Sequence, residues 1–188
     1  MWKAIVILAL FFSLSGLAAS KPPDLTIKDL NGKTHTPWSN DKTKAVVLVF
    51  ISSDCPIANF YQPSLRRLAK QFEAKGVPFF QVHPDSEVDP EAARKHVRDF
   101  EISVPVMIDE EQKLTKKLEA KTTPEVFVLT PDGKAAYRGR IDDTYTTFGK
   151  RRPTPTKHDL KEALEAILAG KKIAVPVTDS IGCRIFIE

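Results

Sequence analysis

The chain predicts an α/β domain built on a central mixed sheet, and three observations carry that prediction. Apolar, β-branched runs at 45–51, 77–82, 104–108 and 125–130 read as strands. Between the first three, and after them, lie stretches with helical i, i+3, i+4 spacing, at about 60–75, 89–100 and 110–119. The last run is followed by Pro131-Asp132-Gly133-Lys134, a hairpin turn that sends 135–141 back antiparallel. A length of 188 residues, 42% of them hydrophobic and 28% charged, suits one globular domain with an ordinary core.

Taken in order, residues 1–20 stand apart. Lys3 gives a positive start, Ala4 to Phe12 an apolar run, and Ala18-Ala19-Ser20 a small-residue end. That is the pattern of a secretory signal peptide cleaved after Ser20. The apolar run is shorter than the roughly 20 residues a spanning helix needs, so no stable membrane insertion is expected after cleavage. The folded domain is expected over 21–170. Leu25-Thr26-Ile27 reads as a short strand and Leu30 to Lys33 as a turn. Val46 to Ile51 is the buried strand at the centre.

The first helix, from about 60 to 75, buries Phe60, Leu65, Leu68, Ala69 and Phe72, with Pro63 in its first turn and Gly76 at its end. A start at Pro56 would instead put Pro63 in the interior. Asp89 caps the second helix with Pro90 at its first position. A polar loop spans 142–156. Thr156 is the expected cap of a last helix whose apolar face is Leu160, Ala163, Leu164, Ile167 and Leu168, stopped by Gly170. The tail, 171–188, lies outside this scheme and is β-rich at 173–175 and 185–187.

The net charge of +4, with acids and bases interspersed, describes a solvated surface and excludes a nucleic-acid footprint. The two cysteines, Cys55 and Cys183, are too few for a disulfide framework: one bridge, or two separate thiols, are the options. Cys55 follows the central strand after Ser52-Ser53-Asp54, at the point where a helix begins. Free backbone N–H groups and the helix dipole favour a thiolate there. The alternative is a buried, inert cysteine. Asp54, if ionised beside the sulfur, would raise its pKa.

The order of elements resembles a thioredoxin-like fold, in particular the secreted redoxins of the alkyl hydroperoxide reductase/thiol-specific antioxidant superfamily. The resemblance covers about 22–170 and rests on Phe50 to Pro56, Thr123-Pro124, Pro131-Asp132-Gly133 and Tyr137 to Asp142. It implies that the Thr123–Pro124 bond is cis and packs against the active thiol. It also implies that a partner backbone would pair along the edge at Thr123 and Pro124. Two departures matter. Ala58 stands where a thioredoxin-type site has its second cysteine, so no local dithiol exists. A peroxidase turn would carry proline seven residues before Cys55 and Thr or Ser three before; Leu48 and Ser52 occupy those places, so that motif is half met.

The expected topology brings Arg140, Asp142 and Asp143 to the end of the sheet that holds Cys55. Arg140 would then stabilise a thiolate or a peroxide oxygen, or else form a surface pair with Asp142 or Asp143. Arg138, of the same parity, is a lesser candidate. Cys183 is the available second thiol. The twelve residues from Lys171 extend to at most about 40 Å, so a Cys55–Cys183 bridge is within reach. Gly182 would allow a turn that presents the sulfur. Pairing with another chain, or a free thiol, stays open.

The resemblance implies an exported thiol–disulfide oxidoreductase with Cys55 reactive and Cys183 resolving. A thiol peroxidase positioned by Ser52 and Arg140 is the nearest alternative. A non-catalytic module stapled by Cys55–Cys183 and a metal-delivery protein are the others. The four histidines, His35, His83, His96 and His158, are scattered, and no metal site or resident cofactor is expected. A disulfide-bearing protein or a peroxide is the expected substrate, and an external thiol the expected reductant, because no nucleotide cradle is visible.

Overall fold

The computed structural model describes residues 25–188, so the expected signal segment lies outside the described residues. Five strands form the central sheet in the order β5-β4-β3-β7-β8. They are β3 (Val46–Phe50), β4 (Phe79–His83), β5 (Val106–Ile108), β7 (Glu125–Leu129) and β8 (Ala135–Gly139). β3, β4 and β5 run parallel, and β7 and β8 are antiparallel additions. β3 is paired on both sides and buried throughout, which explains its unbroken Val-Val-Leu-Val-Phe run.

The pleat splits that run between two cores. Val47 and Val49 face helices α1 (Pro56–Glu73) and α4 (Asp159–Leu168), where they meet Leu65, Phe72, Leu160 and Leu164. Val46, Leu48 and Phe50 face the other way, against Phe80, Phe127 and Ile27, with Leu114 and Leu118 of α3 (Lys113–Leu118) packed on them. Helix α2 (Pro90–Asp99) follows β4, and a small hairpin of β1 (Ile27–Lys28) and β2 (Thr34–His35) joins β5 through Leu30 N–H donating to the Val106 carbonyl.

Most expected elements are present, with informative differences. Helix α1 begins at Pro56, four residues early, which leaves Pro63 inside it. The ring removes the bond that residue 63 would donate to the Asn59 carbonyl. Cys55, rather than a residue near 60, is the cap, because its sulfur accepts the Ala58 N–H at 3.4 Å. Asp89 caps α2 as expected, accepting from Glu91 and Ala92.

The stretch 142–156 is no plain loop: β9 (Tyr145–Thr147) and β10 (Lys150–Arg151) make a hairpin. Thr156 does not cap α4. His158 holds that position without a side-chain bond, and Thr156 gives both its N–H and its hydroxyl to Asp143. The tail strand is β11 (Cys183–Arg184), not 173–175 or 185–187, and it pairs antiparallel with β6 (Thr122–Thr123). A two-residue strand bracketed by Gly182 and Ile185 leaves no alternation to read.

Candidate functional site

The site forms where β3 ends. Ser52 to Asp54 carry the chain from the sheet into α1, with Cys55 N–H donating to the Ser52 carbonyl and Asp54 N–H to the Ser52 hydroxyl. Ser52 therefore shapes the turn. Asn59, one turn into α1, fixes it from the other side: its amide donates to the Ser53 carbonyl at 2.8 Å and its oxygen meets His96 Nε2 at 2.7 Å.

Cys55 is fully buried, and its thiol donates to the Thr123 carbonyl at 2.8 Å. The Thr123–Pro124 peptide is cis. Cys183 lies directly opposite Thr123 in the β6–β11 pairing, which brings the second thiol to the first across 128 positions of sequence. Both are free cysteines, Cys55 buried and Cys183 partly exposed.

Their titrations are linked. Burial works against ionising Cys55, yet donors from the Cys183 thiol, the Ala58 N–H, the Thr123 side chain and the Cys183 N–H bring its pKa below the ordinary thiol value. Cys183 shows the converse: burial, then its bond and its proximity to the Cys55 sulfur, push it up to about 12. Of the two thiols, Cys55 is therefore the one whose ionisation the site favours. Asp54 is exposed and is not among the main influences on Cys55, so the expected repulsion by Asp54 does not govern this thiol.

The tail reaches this place by a continuous clasp. Arg138 N–H donates to the Pro176 carbonyl and Thr178 N–H to the Arg138 carbonyl, a parallel bridge at the outer edge of β8. The Thr178 hydroxyl meets the Arg140 N–H at 3.0 Å and the Tyr137 hydroxyl at 2.8 Å. Beyond Cys183, Ile185 N–H donates to the Lys121 carbonyl, and Gln112 bonds both the Phe186 carbonyl and the Glu188 N–H. Gly182 matters for space rather than for a turn. A Cβ there would lie 2.0 Å from the Thr123 carbonyl oxygen, so any side chain would lift the tail off β6.

Two expectations change accordingly. The edge at Thr123, expected to be open for a partner backbone, is filled by the chain's own Cys183–Arg184. Arg140 reaches the cleft it shares with Pro124, Tyr61 and Ile181, but its guanidinium bonds neither Asp142 nor Asp143: it is held by Asp159 at the start of α4, at 2.8 Å. Arg138 goes to Glu125 and the Glu119 carbonyl. Asp142 instead accepts the Tyr61 hydroxyl at 2.6 Å.

His83 and His96, on β4 and α2, stack edge to face with centroids 5.5 Å apart. Burial, then the neighbouring His96, lowers His83 to about 4, so it is a neutral packing residue at ordinary pH. Among the described residues no group of three or more His, Cys, Asp or Glu is arranged as metal ligands.

Asn59, Gln112 and Thr178 escape sequence reading. Each is an uncharged polar residue whose role is to bond groups remote in the chain, and no local pattern marks that. Gly182 beside Cys183 is the one visible signal.

Known proteins share this architecture. An uncharacterized conserved protein of Geobacillus kaustophilus superposes with a TM-score of 0.74 at 27% identity, covering 90% of this chain and 91% of its own. A thiol-disulfide oxidoreductase ResA of Bacillus cereus is 26% identical over 113 residues, 60% of this chain. The matched region spans 63% of that relative's length. A ResA of Geobacillus thermodenitrificans is 26% identical over 151 residues, 79% of this chain and 76% of the relative. The fold is thioredoxin-like. The AhpC/TSA family model matches residues 18–138, from before β1 through the turn at Cys55, the cis-proline and most of β8, and stops short of the tail that brings Cys183. With Cys55 and Thr123–Pro124 in the arrangement described, the chain belongs to the AhpC/TSA family.

Proposed function

We propose that this is an exported thiol–disulfide oxidoreductase in which Cys55 and Cys183 cycle between dithiol and internal disulfide. One observation carries the reading: the tail pairs with β6 in the register that sets Cys183 against Thr123 and so against the Cys55 sulfur. A local second cysteine is absent, and the tail supplies one from a distance. The domain of residues 21–170 would then provide the reactive turn and residues 171–188 the second thiol. Relatives named as thiol-disulfide oxidoreductases support the reaction class. The pattern of residues 1–20 supports export, and among the described residues no helix is long and apolar enough to cross a membrane.

The donors around Cys55 favour its thiolate, and a stabilised thiolate favours the reduced state, which makes the corresponding disulfide a ready oxidant. The partners are disulfide- or dithiol-bearing proteins, and an external thiol couple resets the pair. The peroxidase reading has less support. It needs an arginine aimed at peroxide oxygens, and Arg140 is committed to Asp159.

The test is turnover. Wild-type protein with a thiol reductant is expected to accelerate reduction of a protein disulfide such as that of insulin, and Cys55→Ser and Cys183→Ser each to lose that acceleration. Faster consumption of hydrogen peroxide than of disulfide would reassign the chemistry to peroxide. A bridge that opens only when the protein unfolds would make it a staple.

A further inference from the structure

We infer that Cys183, rather than Cys55, is the sulfur on which a partner's thiol forms the mixed disulfide. The inference rests on the exchange reading above and reverses the roles that the position of Cys55 at a helix start suggests.

Access decides it. Cys55 is 0% exposed, enclosed by the Ala58 N–H, the Thr123 carbonyl and Cys183 itself. The strand edge beside it is occupied, and Gly182 seals the contact by lying against the Thr123 carbonyl with no room for even one added carbon. The clasp continues on both sides, through Thr178 at β8 and through Ile185, Phe186 and Glu188 toward Gln112, so freeing Cys55 would break many bonds at once. Cys183 sits on the outer strand and is partly exposed. Of the two cysteines it is the one with surface left open to an incoming thiolate while the tail stays paired.

The chemistry agrees with the access. A partner thiolate attacks the Cys183 sulfur of the oxidised protein, forming a partner–Cys183 bond as the Cys55–Cys183 bond breaks. The electron pair leaves on Cys55, where the same donors receive it. The thiol of lower pKa is the better leaving group, and here that is Cys55. The partner's second thiol, losing its proton, then attacks the partner's own sulfur. The partner's disulfide closes and Cys183 departs, taking up a proton. The partner dithiol has lost two electrons, the protein disulfide has gained two, and the proton not held by Cys183 goes to solvent.

The test uses full-length mature protein and reduced glutathione as the probe. Oxidised wild type is first shown by intact mass to be two hydrogens lighter than the reduced form. It is then mixed with equimolar glutathione, acid-quenched within milliseconds, alkylated and peptide-mapped. Glutathione on Cys183 with alkylated Cys55, in at least about tenfold excess over the reverse, is the expected result. Glutathione on Cys55, or an even split, overturns the inference while leaving the redox pair intact. A protein that never becomes lighter overturns the pair itself. As a second readout, Cys55→Ser is expected to be modified by glutathione disulfide faster than Cys183→Ser, and the opposite order contradicts the inference.

Discussion

Cys55 reads differently at the scale of one residue than as a cysteine in a core. It lies within an apolar cluster, yet the donors aimed at its sulfur outweigh the burial that would otherwise keep it protonated. Cys183 bears the opposite shift. In the reduced protein, thiolate absorbance in the ultraviolet is therefore expected to rise in two steps. One lies below the ordinary thiol range and the other is far alkaline, near 12. Cys55→Ser should remove the low step and let Cys183 titrate closer to an ordinary thiol; two equal steps near the ordinary value would contradict this.

The linked stability has opposite signs. The lowered pKa of Cys55 contributes stability above the unfolded thiol pKa, and that contribution is lost as pH falls through the native value. The raised pKa of Cys183 contributes below the unfolded value and is lost as pH rises toward about 12. The position of Cys55 at a strand-to-helix junction is legible from Val46 to Pro56. So is the helix-start N–H that Ala58 supplies, whereas the Cys183 donors are not, because they come from a segment with no sequence neighbour in common.

At the scale of elements, the tail strand and the 142–157 segment hold the site's rim. β11 depends on Gly182. Gly182→Ala is expected to cost about 1–3 kcal/mol in chemical denaturation, because a Cβ at 2.0 Å from a carbonyl cannot be accommodated without backbone movement. It is also expected to slow closure of the Cys55–Cys183 bridge; a variant with wild-type stability and closure rate would show that the tail does not need that contact.

Asp143 anchors the segment leading to α4. It accepts from the Thr156 N–H and hydroxyl and the Lys157 N–H, and pairs with Arg152. Although burial opposes it, those bonds hold its carboxyl well below the ordinary carboxylate range. Its stabilisation is thus present above the ordinary Asp value and is lost as pH falls below it. Asp143→Asn is expected to lose about 1.5–3 kcal/mol at neutral pH, the usual scale for bonds to a charged acceptor. The difference from wild type should shrink in strongly acidic solution. A constant difference down to acid would assign the loss to packing instead. Thr156 followed by Asp159 reads like a helix start; Asp143, thirteen residues upstream of Thr156, takes its groups instead.

For the whole molecule, periodicity reveals the mixed sheet and the helices because each buries a face at its own period: Val46 to Phe50 split between two cores, and Leu160 to Leu164 close one of them. The tail obeys no such rule. Its buried apolar residues, Ile185 with Ile173 and Ile181 partly covered, follow no period, and it is held by backbone bonds to β8, β6 and the residues around Gln112, which side-chain pattern does not encode. Reach allows Cys183 to meet Cys55; only the β6–β11 register brings it there. Arg140 is legible to the right end of the sheet but not to its partner, since Asp159 lies on a helix that sequence alone does not dock.

The molecule is thus a redoxin domain whose second thiol is carried by a strap across its own strand edge at Thr123. A redox titration of the mature protein against defined glutathione couples, read by intact mass and thiol count, tests that account most directly. The account predicts one two-electron transition, in which both thiols disappear together into an internal bridge, at a potential well above the roughly −300 mV below which structural disulfides lie. Two thiols that persist independently through oxidising couples, or a bridge that reduces only once the fold has melted, would contradict it.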